Sequence, residues 1–381
     1  MIKFTRKKNI NSVFLITGLL LIISVLMGCG SCSWNLDAVD YTPVAGEDWE
    51  VSTPEEQGLD PDLFKKVYYS ASKLETIYSL LVVKNGYLIA EGYFNEGSID
   101  QLSKRASVTK SYTGALVGIA IDKGYLEGVD QKMIDFFPDV AGGISDSRKK
   151  EITIREMLQM RAGYPWEETD SALWEGLWSG EYLSLIEGFP LTADPGTTFQ
   201  YSNLTSHWLG IIVARAWGSD LKTFGEEYLF SPLDVTLGGW IQDVDGYYIG
   251  CGDIEFTARD MARFGLLYLN KGEYRGKQII SSEWVNDSLK TYTEDAWTIR
   301  VGRNFKDIGY GYQWWSARSG DHQYNLAWGH GGQLIIVIDD LDMVIVVTAD
   351  PFYGPDDHWQ AWKHEKANIN LAADFIKSLP Q

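Results

Sequence analysis

The chain has 381 residues, 45% of them apolar, which is room for one large domain or two small ones with a full core. Lys and Arg number 33 against 52 Asp and Glu, a net charge of −19. That balance opposes nucleic-acid binding and membrane attachment through a basic patch. Three cysteines give no disulfide framework, and no Cys/His spacing points to zinc or another metal.

Residues 1–12 are basic and polar, and Val13 to Met27 is an apolar run interrupted by Thr17, Gly18 and Ser24. The run is too short for a comfortable spanning helix and has the layout of a secretory signal. It ends Leu26-Met27-Gly28-Cys29, which resembles a bacterial lipobox, where a small residue precedes the Cys that receives lipid. An uncleaved signal anchor with an incidental Cys is the alternative. The expectation is a lipoprotein signal peptide over 1–28 and lipidation at Cys29. It implies a membrane partner through the anchor and an extracytoplasmic place in the bacterial cell envelope. Residues 29–60, rich in Asp, Glu, Pro and Gly without periodicity, read as a tether in which Cys32 and Trp34 carry no chemistry.

Residues 61–381 read as one domain. Pro61 to Leu80 has the pattern of an amphipathic helix, and Lys84-Asn85-Gly86 between Tyr78–Val83 and Tyr87–Tyr93 is a strong hairpin signal. From about 122 to 300 the pattern is mostly helical with long loops. Thr153 with Glu156 forms a capping box at one helix start, and Thr257 is a cap at another. Trp166 to Pro190 is aromatic, acidic and irregular, either a cleft wall or ordinary surface helix. Gly309 to Trp315 alternates, Gly332–Ile338 and Met343–Thr348 flank a turn, and Trp359 to Leu379 is a closing amphipathic helix. The fold class is therefore α/β of the α+β type. A mainly antiparallel sheet is built from about 61–121 and 301–381, with the helical region of about 122–300 inserted between.

Ser107 and Lys110 stand one turn apart at the start of an apolar helix carrying Val108, Tyr112, Ala115, Leu116, Ile119 and Ala120. A Lys among such residues is costly to keep charged, and a neutral amine takes a Ser hydroxyl proton so that the oxygen attacks a carbonyl. Spacing alone decides nothing, because Ser70/Lys73, Ser147/Lys150 and Ser219/Lys222 share it. Tyr201-x-Asn203 supplies a phenol and an amide in a loop just before a helix. A Tyr beside a Lys is expected to have a lowered pKa and to relay protons. Tyr93/Asn95 and Tyr268/Asn270 repeat the spacing but read as packing and turn residues. Trp328-Gly329-His330-Gly331-Gly332-Gln333 enters a β run, where glycines let a substrate lie against the strand. The backbone N–H groups of Ser107 and Gln333 are candidates for an oxyanion hole.

Ser-x-x-Lys, Tyr-x-Asn and His-Gly-Gly, in this order and each in context, resemble the serine β-lactamase and penicillin-binding superfamily. The resemblance is to its class C-like branch, with family VIII esterases, D-alanyl-D-alanine carboxypeptidases and 6-aminohexanoate-dimer hydrolases. It covers about residues 50 to 380. It implies an acyl-enzyme hydrolase with no metal or organic cofactor and a small-molecule ester or amide substrate. In that scheme Ser107 is nucleophile, Lys110 its base, and Tyr201 the donor to the leaving group and activator of the deacylating water. Asn203 positions Lys110 and substrate, and His330, Gly331, Gly332 and Gln333 line the strand side. The branch commonly has Lys-Thr-Gly where this chain has His330-Gly331-Gly332. A histidine with a reference pKa of about 6.5 is mostly neutral at pH 7. This departure favours esters or amides without an obligatory carboxylate over β-lactams. The alternatives are a penicillin-interactive protein (a weak β-lactamase or a D-amino-acid peptidase) and a binding protein that kept the fold without the chemistry. The leader has its own test: Cys29→Ser should abolish globomycin-sensitive processing and lipid labelling in a bacterial host, and unchanged processing would refute the lipoprotein assignment.

Overall fold

Asn85 and Gly86 both adopt left-handed φ, 52° and 83°. This is the two-residue turn that matches strand twist, and it folds β1 (Ile77–Lys84) against β2 (Tyr87–Tyr93) with Lys84 opposite Tyr87. The computed structural model describes residues 36–381 apart from 47, 170, 178, 179 and 354–357. The expected leader, Cys29, Cys32 and Trp34 lie outside the described residues. The remaining strands of the main sheet come from the other end of the chain: β3 (Lys306–Tyr310), β4 (Trp315–Ser319), β5 (His322–Gly329), β6 (Gln333–Ile338) and β7 (Met343–Ala349). Their order is β2-β1-β7-β6-β5-β4-β3, every neighbouring pair antiparallel. The two chain segments join at β1 and β7, where Leu80 faces Val347 and Val82 faces Ile345.

Both faces of this sheet are covered, which is why its central strands are unbroken apolar runs rather than alternating ones. On one face Leu80, Val82, Ile336, Ile345 and Val347 pack with Phe64 of α1 (Pro61–Ala71) and with Ile369, Phe375 and Ile376 of α5 (His358–Ser378). On the other, Leu81, Val83, Ile335, Val344 and Val346 pack with α2 (Thr109–Asp122) and α4 (Ala258–Leu269). Gly265 lets α4 approach closely, since a Cβ there would lie 2.5 Å from Val344 Cγ1. The helical region between the two sheet segments centres on α3 (Asn203–Trp217), with Ser202 as its cap and Gly218 in the left-handed region beyond it. The two caps read from the sequence are present, with Thr153 and Glu156, and Thr257 and Asp260, each bonding reciprocally.

Two expectations need correction. The first helix ends at Ala71 rather than Leu80, because the β-branched run from Ile77 is taken by the sheet. Much of the expected tether is packed: Trp49 is buried, Val51 bridges to Leu88, and Tyr41 lies against Phe64 and Tyr68. Its acidic character conceals a docking role. Arg259 of α4 makes a two-pronged bond to Glu91 of β2 (2.8 and 2.7 Å) and also holds Asp48 at 2.8 Å and the Val44 carbonyl at 2.7 Å. Burial alone would raise the Glu91 carboxyl, but its bonds from Arg259, Tyr93 and the Val44 amide outweigh that and hold it below its ordinary value. Arg259→Ala strands Glu91 without its partner, a cost of about 3–5 kcal/mol for a broken buried pair. Urea unfolding should show a midpoint lowered accordingly, and an unchanged midpoint would contradict the bridging role.

Candidate active site

Ser107 lies in a single 3₁₀ turn, Ala106–Val108, that feeds α2. Three contacts fix that turn. Ser103-Lys104 pairs with Glu255-Phe256 in a two-residue ribbon, the Arg105 amide donates to the Ile254 carbonyl at 2.9 Å, and the buried Arg105 guanidinium donates to the Phe256 carbonyl and to Gln333 Oε1. Gly329 at the end of β5 is where the turn rests on the sheet. A Cβ there would meet the Arg105 carbonyl oxygen at 2.4 Å and the Val108 nitrogen at 3.1 Å, so only glycine permits the approach.

α2 is buried from Thr109 to Ala120, and this carries Lys110 into the interior with 1% of its surface exposed. Its Nζ lies 2.8 Å from Ser107 Oγ, 2.7 Å from Asn203 Oδ1 and 2.7 Å from the Cys251 carbonyl oxygen. Burial lowers the Lys110 pKa, an effect opposed only in part by Cys251, Glu168, Glu167 and Asp253. A neutral amine has two N–H bonds and one lone pair. The two carbonyl oxygens accept the N–H bonds, and the lone pair is left for the Ser107 hydroxyl.

Tyr201 is 5% exposed, its side chain interacts with that of Ser107, and its ring lies with its centroid 4.9 Å from Lys110 Nζ. The ring is stacked on Trp315, edged by Tyr310 and packed at a tilt against Trp166. The lowered pKa expected for Tyr201 is not found. Burial, with Glu168 adding to it, pushes the phenol well above its ordinary value. The phenol therefore stays protonated, and the two groups have drawn apart, amine toward neutral base and phenol toward neutral acid. Asn203 opens α3. Behind it the fully buried Glu167 accepts from Ser202 Oγ at 2.6 Å, the Asn203 amide at 3.0 Å and the Leu204 amide at 3.3 Å, while Glu168 accepts from Asn203 Nδ2 at 3.0 Å. Desolvation lifts the Glu167 carboxyl to about 7 despite these bonds.

On the opposite side, His330-Gly331-Gly332 forms the turn between β5 and β6. Gly331 and Gly332 both have left-handed φ, 79° and 87°. The turn is held by α5: Glu365 accepts from the Gly331 amide at 2.9 Å, from Trp328 Nε1 at 2.7 Å, and lies 3.0 Å from His330 Nδ1, while Asn368 donates to the Gly331 carbonyl at 2.9 Å. The bond to Glu365 raises the pKa of the half-exposed His330 against the opposing effect of burial. The expectation rested on the reference value, and the shift runs upward from it. The Gln333 side chain is buried and engaged by Arg105 and both main-chain groups of Ala349, so any contact of this residue with substrate is through its backbone.

A family model described as Beta-lactamase matches residues 78–367. The chain belongs to the beta-lactamase family. It is 28% identical over 310 residues to the 6-aminohexanoate-dimer hydrolase of Paenarthrobacter ureafaciens, covering 77% of this chain and 76% of that one. Among solved structures, the octameric penicillin-binding protein homologue from Pyrococcus abyssi aligns with a TM-score of 0.60 at 18% identity, covering 84% of this chain and 79% of that one. EstCE1, described as a hydrolase with promiscuous acyltransferase activity, aligns at 0.63 and 16%, covering 81% and 99%. At these identities the structural likeness speaks for the fold alone.

Within this beta-lactamase fold the repeated motifs separate cleanly. Lys73 lies over the Tyr69 ring, Ser147 sits in a 3₁₀ turn, and Lys222 pairs with Glu226. Tyr93 bonds Glu91, and Tyr268 packs on Phe264 and Trp314. Ser107, Lys110, Tyr201 and Asn203 come together. The Trp166 segment forms short helices over Ser171–Leu177 and Tyr182–Gly188, and Trp166 itself packs against the Tyr201 ring. Among the described residues no group of three or more His, Cys, Asp or Glu is arranged to hold a metal. Glu167, Glu365, Asn368 and the Cys251 carbonyl were not legible as site residues. Each acts through a contact distant in sequence, and a carbonyl has no side-chain signature.

Glu167 gives a pH dependence with a defined sign. Its folded pKa of about 7 lies above the ordinary 4.5, so the folded state binds more protons than the unfolded state between those values. The stability linked to it is full below pH 4.5 and is lost as pH rises through 7. Urea midpoints measured from pH 4.5 to 8 should show this fall in the wild type and a smaller one in Glu167→Gln. Equal slopes would contradict the buried-carboxyl account.

Proposed function

We propose that this protein is a serine hydrolase that forms an acyl-enzyme on Ser107 and hydrolyses an ester or a small amide. The observation that carries the reading is the Lys110 amine, buried, pushed toward neutrality and 2.8 Å from Ser107 Oγ. Lys110 takes the hydroxyl proton as Ser107 attacks the carbonyl carbon. The main-chain N–H groups of Ser107 and Gln333 receive the developing oxyanion. Lys110 then returns its proton through the neutral Tyr201 phenol to the leaving group, which restores the free amine. In the second half-reaction water attacks the acyl carbon and its proton passes by the same route to Lys110. Ser107 departs and recovers a proton from the ammonium. Asn203 fixes the amine and meets the substrate, and His330 lines the opposite side with Gly331 and Gly332. The lipid anchor at Cys29 places this chemistry outside the cytoplasm.

One observation favours a second reading. Glu365 shifts His330 toward its cationic form, which restores part of the charge that a lysine supplies in the penicillin-interactive branch. Nitrocefin turnover exceeding ester turnover would promote that reading.

The test follows p-nitrophenyl butyrate hydrolysis by the chain from Ser33 onward. Ser107→Ala should abolish turnover, and Lys110→Ala should reduce it by about 10²–10⁴-fold, the range for loss of a general base. Turnover that survives in Ser107→Ala would remove the assignment of the nucleophile.

A further inference from the structure

The Cys251 carbonyl that accepts from Lys110 Nζ is not in a regular element. It follows a hairpin-like loop in which Gln242 bridges Tyr248, the Ile249 amide donates to the Ile241 carbonyl at 3.0 Å, and Trp240 Nε1 donates to the Ile249 carbonyl at 2.8 Å. A loop of this kind needs an anchor where it meets the helices, and His207 on α3 supplies one. Its ring is wholly buried between two partners. Nδ1 accepts from the Gly250 amide at 3.0 Å, and Nε2 lies 2.9 Å from Asp243 Oδ2. The Gly250 carbonyl in turn accepts from Thr113 Oγ1 of α2 at 2.7 Å. A Cβ at Gly250 would lie 2.8 Å from the Ser206 carbonyl, so the loop seats directly on α3.

The bonding fixes the tautomer. An amide N–H has only a proton to offer, so Nδ1 must be the bare nitrogen and Nε2 must carry the hydrogen that Asp243 accepts. Asp243 has no freedom to do otherwise, because its other oxygen accepts the amides of Asp245 and Tyr247 at 2.9 and 2.8 Å. Asp243 and Asp245 are the charged groups acting on the imidazole, and the Tyr182 ring packs edge-on at 4.3 Å. Burial lowers the His207 pKa against the pull of these carboxylates, in keeping with a neutral ring.

From this chain of contacts we infer that His207, oriented by Asp243, is a positioning residue for Lys110: it holds Gly250 so that the Cys251 carbonyl takes one N–H of the amine and leaves the lone pair aimed at Ser107. The inference rests on the serine hydrolase reading above. His207 itself touches none of the reacting atoms. Misplacing the carbonyl leaves the amine free to rotate, and a displacement near 1 Å in such a site costs about 10²-fold in rate.

Asp243→Asn is nearly isosteric and tests this directly. The asparagine oxygen keeps the two loop amides, its NH₂ faces Nε2, and the ring must move its hydrogen to Nδ1, where it opposes the Gly250 N–H. The full-length chain is used, with ¹⁵N spectra of the histidine ring, fluorophosphonate labelling of Ser107, and kcat and KM for p-nitrophenyl butyrate. The wild type should show the Nε2–H tautomer. Asp243→Asn should invert or mix it, slow labelling and lower kcat by about 10²-fold, and leave KM within about twofold. His207→Gln, which retains a neutral acceptor and donor, should recover more of the rate than His207→Leu. Unchanged labelling in Asp243→Asn with an inverted tautomer would overturn the inference while leaving the serine reading intact, as would a wild-type Nδ1–H tautomer. No labelling of wild-type Ser107 would overturn the serine reading and this inference with it.

Discussion

The structure turns on burying one lysine amine. Lys110 lies on a helix that is buried from Thr109 to Ala120, and its Nζ lies within bonding distance of three protein oxygens. Water would stabilise the ammonium and hold the proton there. Burial withdraws that stabilisation, and the same low polarity makes an unbonded N–H costly. Two carbonyl oxygens answer that cost without adding a charge, one from Asn203 and one from the main chain at Cys251. Desolvation raises the Cys251 thiol to about 11, which disfavours its thiolate.

This arrangement explains how an acidic chain organises a site around a buried lysine. Two of its carboxylates act as internal clamps on main-chain amides. Glu167 gathers the start of α3 and so sets Tyr201 and Asn203, while Glu365 gathers the β5–β6 turn and so sets His330. Each clamp belongs to an element remote from the residues it fixes. The aromatic residues do related work. Trp315, Trp166 and Tyr310 enclose the Tyr201 ring, and burial there keeps the phenol protonated.

Much of this was legible in the sequence because it is local. The Asn85-Gly86 turn, the Thr153 and Thr257 caps and the closing helix all depend on residues within a few positions of one another. So does the Ser107/Lys110 pair, once the apolar helix behind it is counted. The beta-lactamase assignment followed from the order of three such local motifs. What escaped depends on contacts between distant segments. The acidic stretch before Pro61 looked unstructured because its partner, Arg259, lies some two hundred residues away. The upward shift of His330 escaped for the same reason, since Glu365 sits on a helix distant in sequence. The Tyr201 shift was misjudged because proximity to a lysine was weighed and enclosure by aromatic rings was not.

The central claim is that burial shifts Lys110 toward its neutral form and so lets it serve as the base. The most direct measurement is its titration by NMR of lysine labelled at Cε, with the resonance assigned by its loss in Lys110→Ala. The account predicts that Lys110 titrates below the ordinary lysine value of 10.5. A Lys110 that titrates at or above 10.5 would contradict it.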